Sequence, residues 1–309
     1  MAKATIEVLS SGALNLVQDR GRIGFLGAGV SRGGAMDEPA LVMANELVGN
    51  EANAAALEIN VFPQRLRVQD DIWFACTGAQ SRVTLDGAAV PTWTRVRAAP
   101  GQVLVIEAPR LGCRAYIAFS GGIDVQEILG SRSTDLKAGF GGYEGRGLRR
   151  GDVLTLGVSA GLALSEHPGI APAERVSFLD DLKQGVVRVR IIPATEYDCF
   201  TGESLAHFRE GSYRISSEAN RVGYRLMGEP LKLAHPLELF SHGIIPGTVQ
   251  VPPNGQPIVQ MAEANTCGGY PKIAAVIQAD LWRLAQAPVG CAVRFTLTTI
   301  DAALEALRR

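Results

Sequence analysis

A chain of 309 residues, 47% hydrophobic and 20% charged, is long enough for two globular domains and too apolar for a disordered polymer. Its formal net charge of −1 gives no general attraction for nucleic acid or for an anionic membrane surface. No apolar run reaches the roughly 18 residues that a membrane span needs.

Glycine stands out at 35 residues, beside 16 prolines and a 6% aromatic share. That composition suits short strands joined by many turns, so a mainly β fold with a few short helices is expected. The cysteines, Cys76, Cys113, Cys199, Cys267 and Cys291, are odd in number and scattered. With no CxxC or Cys/His ligand spacing, neither a metal site nor a disulfide framework is expected, and a reducing, cytoplasmic setting fits. The first residues, Met1-Ala2-Lys3-Ala4-Thr5, lack a long apolar signal core.

Residues 6–17 read as strand, turn, strand, and Gln18-Asp19-Arg20-Gly21-Arg22-Ile23-Gly24-Phe25 then sets charges of both signs among glycines. Arg22 has the donor fork for a carboxylate, which is either a ligand's or that of Asp19. The cluster Gly27-Ala28-Gly29-Val30-Ser31-Arg32-Gly33-Gly34 is not a dinucleotide fingerprint: its spacing is GxGxxxG, and Glu51 follows a Gly-Asn stop instead of ending a second strand. No GxxxxGK[ST] phosphate loop occurs. Asp37 reads as the N-cap of a helix over 38–48 with Pro39 in its first turn, stopped by Gly49-Asn50, and a second short helix is expected through 54–56.

From 57 to 106 the pattern is strands, at 57–61, 66–68, 72–76, 82–85, 95–97 and 103–106, with Asp86-Gly87 as a hairpin turn; 114–119 adds another. A long polar stretch follows, with Gly130-Ser131-Arg132-Ser133-Thr134-Asp135 at its head. Arg132, Ser133 and Asp135 either bind a polar substrate or satisfy one another across a long connection. After strand 153–156, the segment 161–185 reads as a linker between an N-terminal domain at 1–160 and a C-terminal domain at 186–309.

The second half opens with strand 186–192 and a polar helix over 201–209. Asn220-Arg221-Val222-Gly223-Tyr224 echoes Gly21-Arg22-Ile23-Gly24-Phe25, and Ala287-Pro288-Val289-Gly290 echoes Ala99-Pro100-Gly101, in the same order; the halves are expected to be related β domains. Pro252-Pro253-Asn254-Gly255 is a hairpin loop flanked by Gln250 and Gln256, and His242 is the histidine best placed for acid–base work. In Thr266-Cys267-Gly268-Gly269-Tyr270-Pro271-Lys272-Ile273 the paired glycines allow close approach of backbone to a ligand or to another segment. Tyr270 and Lys272 either reach into a pocket or belong to a plain tight turn. Asp280 is expected to cap a helix over 281–286, and a strand over 292–297 and a helix over 302–308 close the chain. No nucleophile motif of the GxSxG kind is present. The residues by themselves stop at a two-domain, β-rich cytosolic protein with polar glycine loops.

Six ordered motifs extend that reading: Val17-Gln18-Asp19-Arg20-Gly21-Arg22, Gly33-Gly34-Ala35-Met36-Asp37, Ala44-Asn45-Glu46-Leu47-Val48-Gly49-Asn50, Leu129-Gly130-Ser131-Arg132-Ser133-Thr134-Asp135, Gln250-Val251-Pro252 with Gly255-Gln256-Pro257-Ile258, and Gly268-Gly269-Tyr270-Pro271-Lys272-Ile273. Together they resemble the allophanate hydrolase subunit 2 family, also called the biotin-dependent carboxyltransferase family. The resemblance implies two cyclophilin-like β-barrel domains and a partner, a kinase-inhibitor-like subunit 1 homologue. It also implies a lactam-utilisation subunit in the 5-oxoprolinase members, where ATP hydrolysis by the complex drives ring opening of 5-oxoproline to glutamate. In urea carboxylase the corresponding region passes a carboxyl group from carboxybiotin to urea. This chain has no Met-Lys-Met biotin-attachment sequence, so any biotin would arrive on another protein. One departure is clear: Glu263-Ala264-Asn265-Thr266 stands where the family carries an Asp-Arg-Gln-Thr-like run.

The expected function is therefore a subunit of an ATP-dependent amidohydrolase or carboxyltransferase complex acting on a lactam, amide or urea-like molecule. Lys272, Tyr270 and Asp19 are the candidate catalytic residues. Arg22, Arg132, Ser133, Gln250, Gln256, Gly268 and Gly269 are the candidate substrate-binding ones, and no metal is called for. Lys272 would stabilise developing charge, Asp19 would orient Arg22, and glycine-loop N–H groups would polarise a carbonyl. The alternative is a non-catalytic regulator that sequesters the subunit 1 partner.

Overall fold

The computed structural model describes residues 3–159 and 171–308. It divides into two compact units, Met1–Ile23 with Gly33–Val176, and Gly24–Arg32 with Ser177–Arg309.

The first unit contains β1 (Thr5–Ser10), β2 (Leu16–Gln18), α1 (Glu38–Leu47), β3 (Ala56–Ile59), β4 (Gln64–Val68), β5 (Ile72–Gly78), β6 (Val83–Leu85), β7 (Ala88–Val90), β8 (Arg95–Ala98), β9 (Val103–Ile106), β10 (Ala115–Phe119) and β11 (Val153–Thr155). They make a six-stranded sheet, β11-β1-β4-β9-β6-β7, and a five-stranded sheet, β2-β3-β10-β5-β8. Every other residue of β1 and β4 turns inward, so Ile6, Val8, Leu66 and Val68 meet Leu57, Phe74, Ile117 and Phe119 of the second sheet in one core. The other face of the five-stranded sheet is covered by α1, whose Leu41, Ala44 and Leu47 pack on Ala56, Ala75, Tyr116 and Ala118. Cover on both faces is why β3 and β10 are buried along their whole length.

The sequence signals explain the local elements. Asp37 caps α1, its Oδ1 accepting from the Ala40 N–H at 3.1 Å. Asp86 and Gly87, at φ 50° and 82°, make the two-residue turn between β6 and β7. Tyr116 is fully buried; its hydroxyl donates to Glu58 Oε2 at 2.7 Å and accepts from the Asp37 N–H at 2.8 Å. Burial first, and then the charges of Glu58 and Asp37, push that phenol well above its ordinary value. Asp37 also pairs with Arg175 through both guanidinium nitrogens.

The second unit contains β12 (Val186–Pro193), α3 (Gly202–Glu210), β13 (Tyr213–Ile215), β14 (Gly223–Met227), β15 (His242–Gly243), β16 (Thr248–Gln250), β17 (Ile258–Gln260), β18 (Cys267–Gly268), β19 (Lys272–Val276), α4 (Leu281–Ala285), β20 (Ala292–Leu297) and α5 (Ile300–Ala306). Seven strands close a barrel in the order β12-β19-β16-β17-β14-β13-β20. Closure is made by β20 lying parallel to β12, in register from Val186↔Ala292 to Ile191↔Leu297. The paired positions Ile191, Val276, Ala274, Val249, Val259 and Tyr224 share the inward face and are all nearly inaccessible. β15 and β18 form a separate two-stranded ribbon.

The fold is mainly β with short helices, as the composition implies, and the second unit closes a barrel. In the first unit the eleven strands lie in two sheets around one core. The echoed turns correspond, because Gly101 (φ 87°) and Gly290 (φ 83°) lead into β9 and β20, donating their N–H to Val68 and Ile215 at 2.7 and 2.8 Å. Three local expectations fail. Residues 54–56 form no helix, because Ala55 and Ala56 are drawn into the core at the start of β3. Within 161–185, residues 161–170 lie outside the described residues and Ala173–Lys183 is a helix, α2. Asp280 precedes α4 without capping it: its carboxylate instead accepts from the Arg190 backbone N–H at 2.7 Å and from Nε and Nη2 at 3.0 and 2.7 Å. No helix among the described residues is long and apolar enough to cross a membrane.

The chain entering β11 is tied by Arg146, whose Nη1 and Nη2 donate to Asp152 at 2.8 and 2.9 Å, while the Arg149 N–H donates to the same carboxylate at 2.7 Å. Burial would raise the Asp152 carboxyl, but these hydrogen bonds outweigh it and hold the carboxyl below its ordinary value. A depressed folded value means the stabilisation is complete above the unfolded value, near pH 3.9, and is lost as pH falls through the lower one. Urea midpoints measured from about pH 5 down to about pH 3 should therefore fall less steeply for Asp152→Asn than for the natural chain. Equal slopes would show that the pair contributes nothing to acid lability.

Candidate functional site

Two of the predicted polar groups are brought together on the outside of the second unit's barrel. β16 and β17 form a hairpin across the Pro252–Gly255 turn, with Gln250 opposite Ile258 and Gln260 two residues further on the same face. The two carboxamides meet there: Gln260 Nε2 donates to Gln250 Oε1 at 2.9 Å. Both residues are at least nine-tenths buried, at 4% and 5% exposure. Gln250 Nε2 and Gln260 Oε1 have no hydrogen-bond partner from the protein.

Lys272 joins them through a break in the pairing of β16 with β19. The register runs Thr248↔Ala275 and Val249↔Ala274, then slips, so that Lys272 and not Ile273 stands opposite Gln250. Its Nζ lies 3.3 Å from Glu196 Oε2, an ion pair without the alignment of a hydrogen bond, and the same carboxylate oxygen accepts the Lys272 backbone N–H at 3.0 Å. The ammonium is thus anchored on one side with its N–H protons still available.

β18 covers this group. A Cβ at Gly268 would stand 2.8 Å from Gln250 Nε2, so the strand approaches the amide only because residue 268 has no side chain. At Gly269 a Cβ would stand 3.0 Å from the Leu239 carbonyl. β18 is held on its other side by β15, where His242 pairs with Gly268 and Gly243 with Cys267. His242 Nδ1 is engaged with the Phe240 carbonyl at 2.8 Å. Tyr270 does not turn inward: it is 47% exposed. Gln256 lies apart, its side chain bracketing the Gly228 peptide, with Oε1 accepting from N–H at 2.9 Å and Nε2 donating to the carbonyl at 3.1 Å. Glu263, beside the departed family position, has a buried partner in Arg221, whose Nε donates to it at 2.6 Å.

The remaining candidates gather in the first unit and form a buried knot. Asp19 is 1% exposed. Its carboxylate accepts from the Gly21 N–H at 2.8 Å, the Ser131 hydroxyl at 2.7 Å, the Ser133 hydroxyl and the Arg132 backbone N–H. Ser133 is fully buried, and its Oγ also accepts the Asp19 N–H at 2.9 Å. Arg22, 1% exposed, donates Nη2 to the Ser133 carbonyl and lies 4.4 Å over the Phe140 ring. Asp19 therefore reaches Arg22 through Ser133. The Arg132 side chain turns outward to the Val125 carbonyl at 3.1 Å and Glu127 at 3.2 Å. Asp19 and Ser133 fix the 131–142 loop against β2, and Arg132 contributes its backbone there in place of a binding side chain.

Gln260 and Glu196 were missed in the sequence. For Gln260 a signal existed: across a hairpin turning at Pro252–Gly255, alternation puts residue 260 on the face of residue 250. Nothing near Glu196 marks it as the partner of a lysine so much later in the chain. Among the described residues, no group of three or more His, Cys, Asp and Glu side chains is arranged to hold a metal.

Comparison with known proteins bears on this arrangement. A family model described as "Carboxyltransferase domain, subdomain A and B" matches residues 28–297. The chain is 45% identical to the C subunit of 5-oxoprolinase from Escherichia coli, over 97% of its own length and 94% of the relative's. It is 38% identical to the protein of the same name from Haemophilus influenzae, over 98% and 94% of the two chains. The crystal structure of Kluyveromyces lactis urea amidolyase superposes with a TM-score of 0.89 at 30% identity, covering 98% of this chain and 19% of that one.

The knot around Asp19 separates a structural role from a catalytic one. Asp19→Ala strands two buried hydroxyls and two backbone N–H groups, and should lower stability by roughly 3 kcal/mol or more, read as a lower urea midpoint at unchanged slope. Arg132→Ala removes a half-exposed ion pair with Glu127 and one hydrogen bond to the Val125 carbonyl, and should cost less than Asp19→Ala, about 1–2 kcal/mol. An Asp19→Ala protein with an unchanged midpoint and lost turnover would return Asp19 to the chemistry.

Proposed function

Because this chain belongs to the carboxyltransferase domain (subdomain A and B) family, we propose that it is the C subunit of a 5-oxoprolinase-type enzyme, opening the ring of 5-oxoproline together with partner chains. The single observation that carries this reading is the 45% identity, over nearly the full length of both chains, to the C subunit of Escherichia coli 5-oxoprolinase. The partners are a subunit 1 homologue of the kinase-inhibitor-like kind and a lactam-utilisation subunit, in the cytoplasm. ATP is consumed by the complex, and biotin enters only if another protein carries it.

The chemistry sets what this chain has to supply. Hydrolysis of a lactam forms a bond from water oxygen to the carbonyl carbon, breaks the ring C–N bond and sends a proton to the departing nitrogen. Negative charge builds on the carbonyl oxygen in between. The Lys272 ammonium, held by Glu196 at 3.3 Å and set opposite Gln250, is the charged donor placed to offset it. Gln250 Nε2 supplies a neutral donor beside it. Tyr270, on the same loop, is 47% exposed and takes no part in the buried group. Asp19, Ser133 and Arg22 act as positioning residues in the first unit, holding the 131–142 loop.

Glutamate release from 5-oxoproline by the co-expressed complex, with each component omitted in turn, tests the assignment. Activity should vanish without this chain. Lys272→Ala should lower kcat by about 10²- to 10³-fold with little change in KM, as expected for a donor used in the transition state. Full turnover without this chain would end the proposal, and an unchanged kcat for Lys272→Ala would remove the lysine from it.

A further inference from the structure

The two unpartnered amide atoms point to a recognition element finer than a charge site. Gln250 and Gln260 are already joined by one hydrogen bond, which leaves one donor, Gln250 Nε2, and one acceptor, Gln260 Oε1. Turning either amide over would still leave the pair with unmatched capacity. Each buried polar group without a partner costs about 1–3 kcal/mol, and native proteins rarely carry two side by side. A ligand that offered one acceptor and one donor on the same edge would recover both.

That requirement is selective in chemistry. An open-chain secondary amide is trans, so its C=O and N–H point in opposite directions, whereas a primary amide or urea keeps one N–H beside its C=O. A five-membered ring forces the amide cis, and C=O and N–H then lie along one edge. We propose that Gln250 and Gln260 read the cis-amide edge of a five-membered lactam or ureido ring, with Gln250 Nε2 donating to the ring carbonyl and Gln260 Oε1 accepting the ring N–H. Lys272, opposite Gln250, adds charge at the carbonyl end. The substrate class rests on the function proposed above; the edge-reading itself rests on the two side chains.

Access is set by β18. Gly268 lies against Gln250 Nε2, and the strand that carries it pairs with β15 through only two residue pairs. The ring takes the place of the Gly268 backbone as the ribbon parts. Glycine at 268 keeps the amide covered but not blocked, whereas a Cβ there would sit 2.8 Å from the nitrogen that binds the carbonyl.

The test uses the whole complex and three probes: 5-oxoproline, N-methyl-5-oxoproline, which has no ring N–H, and 2-imidazolidinone, a bare ureido ring. Binding is read by calorimetry and turnover by glutamate release. The natural complex should prefer 5-oxoproline to its N-methyl analogue by about ten- to a hundredfold, the worth of one buried hydrogen bond. Gln260→Leu should erase that preference. Gln250→Leu should weaken both probes alike. If Gln260→Leu fails to fold, Gln260→Met with an unchanged melting curve takes its place. A natural complex that turns over 5-oxoproline while Gln260→Leu keeps the full preference overturns the edge-reading and leaves the enzyme assignment standing. A natural complex that ignores 5-oxoproline but binds 2-imidazolidinone, and loses it with Gln250→Leu, does the reverse. Binding of neither ring, or of both equally in all variants, ends the proposal.

Discussion

Where β16 meets β19, one slip in the ladder decides which side chains share a face. Regular antiparallel pairing would continue from Val249↔Ala274 to Gln250↔Ile273, setting a core isoleucine against the glutamine. The bulge leaves Ile273 in the core and brings Lys272 opposite Gln250 instead. One residue of offset therefore turns an apolar strand end into a place where an ammonium and a carboxamide stand together. The Glu196 anchor follows the re-aimed lysine, while the Gln260 contact and the close cover of Gly268 belong to Gln250 and meet the lysine there. A bulge beside a polar cluster is a way to re-aim one side chain without disturbing the barrel interior, where Val249, Val259 and Ala274 remain fully buried.

Elements governed by neighbouring residues were legible in the sequence. Asp37 with Pro39 marks the start of α1, Asp86-Gly87 marks the β6–β7 turn, and the echoed glycines at 101 and 290 mark the same kind of turn into β9 and β20. Failures occur where a distant partner overrides local preference. Alanines at 55 and 56 suit a helix, but the core beneath α1 needs small side chains where β3 begins. Asp280 has the right type and place for a cap, yet the Arg190 guanidinium and N–H offer it three stronger bonds.

The site residues divide in the same way. Gly268 and Lys272 drew notice as a glycine pair and a lysine set around a proline beside an apolar run, and Gln250 as an amide flanking the Pro252–Gly255 hairpin loop. Asp19, Ser133 and Arg22 have equally suggestive types, and in the fold they bind one another and the 131–142 loop. A carboxylate that accepts from two hydroxyls and two backbone N–H groups has its acceptor sites filled, and the Ser133 hydroxyl, which donates to and accepts from Asp19, has given up its one proton and keeps a single acceptor lone pair. The motifs that hold these residues include an anchored 131–142 loop, and residue type alone cannot separate that from chemistry. Partner saturation can, and it is visible only in three dimensions.

The outward placement of Gln250, Gln260 and Lys272 follows from the size of the barrel. Seven strands enclose a space that side chains fill, and here Tyr213, Phe295, Tyr224 and Leu226 occupy it at 3% exposure or less. Phe295 lies 6.2 Å from Tyr213 and 4.6 Å from Phe208, ring centroid to ring centroid, which leaves the interior to packing. Polar groups that are to meet a small molecule must then sit on the outer face, where solvent would compete for every hydrogen bond. Covering them with a two-residue ribbon resolves that conflict: it dries the amides so that each bond counts for more, and it does so with a segment held by few enough pairs to be displaced. Glycine at 268 serves both ends, since it lets the cover close to contact distance and leaves no side chain to clear when it opens.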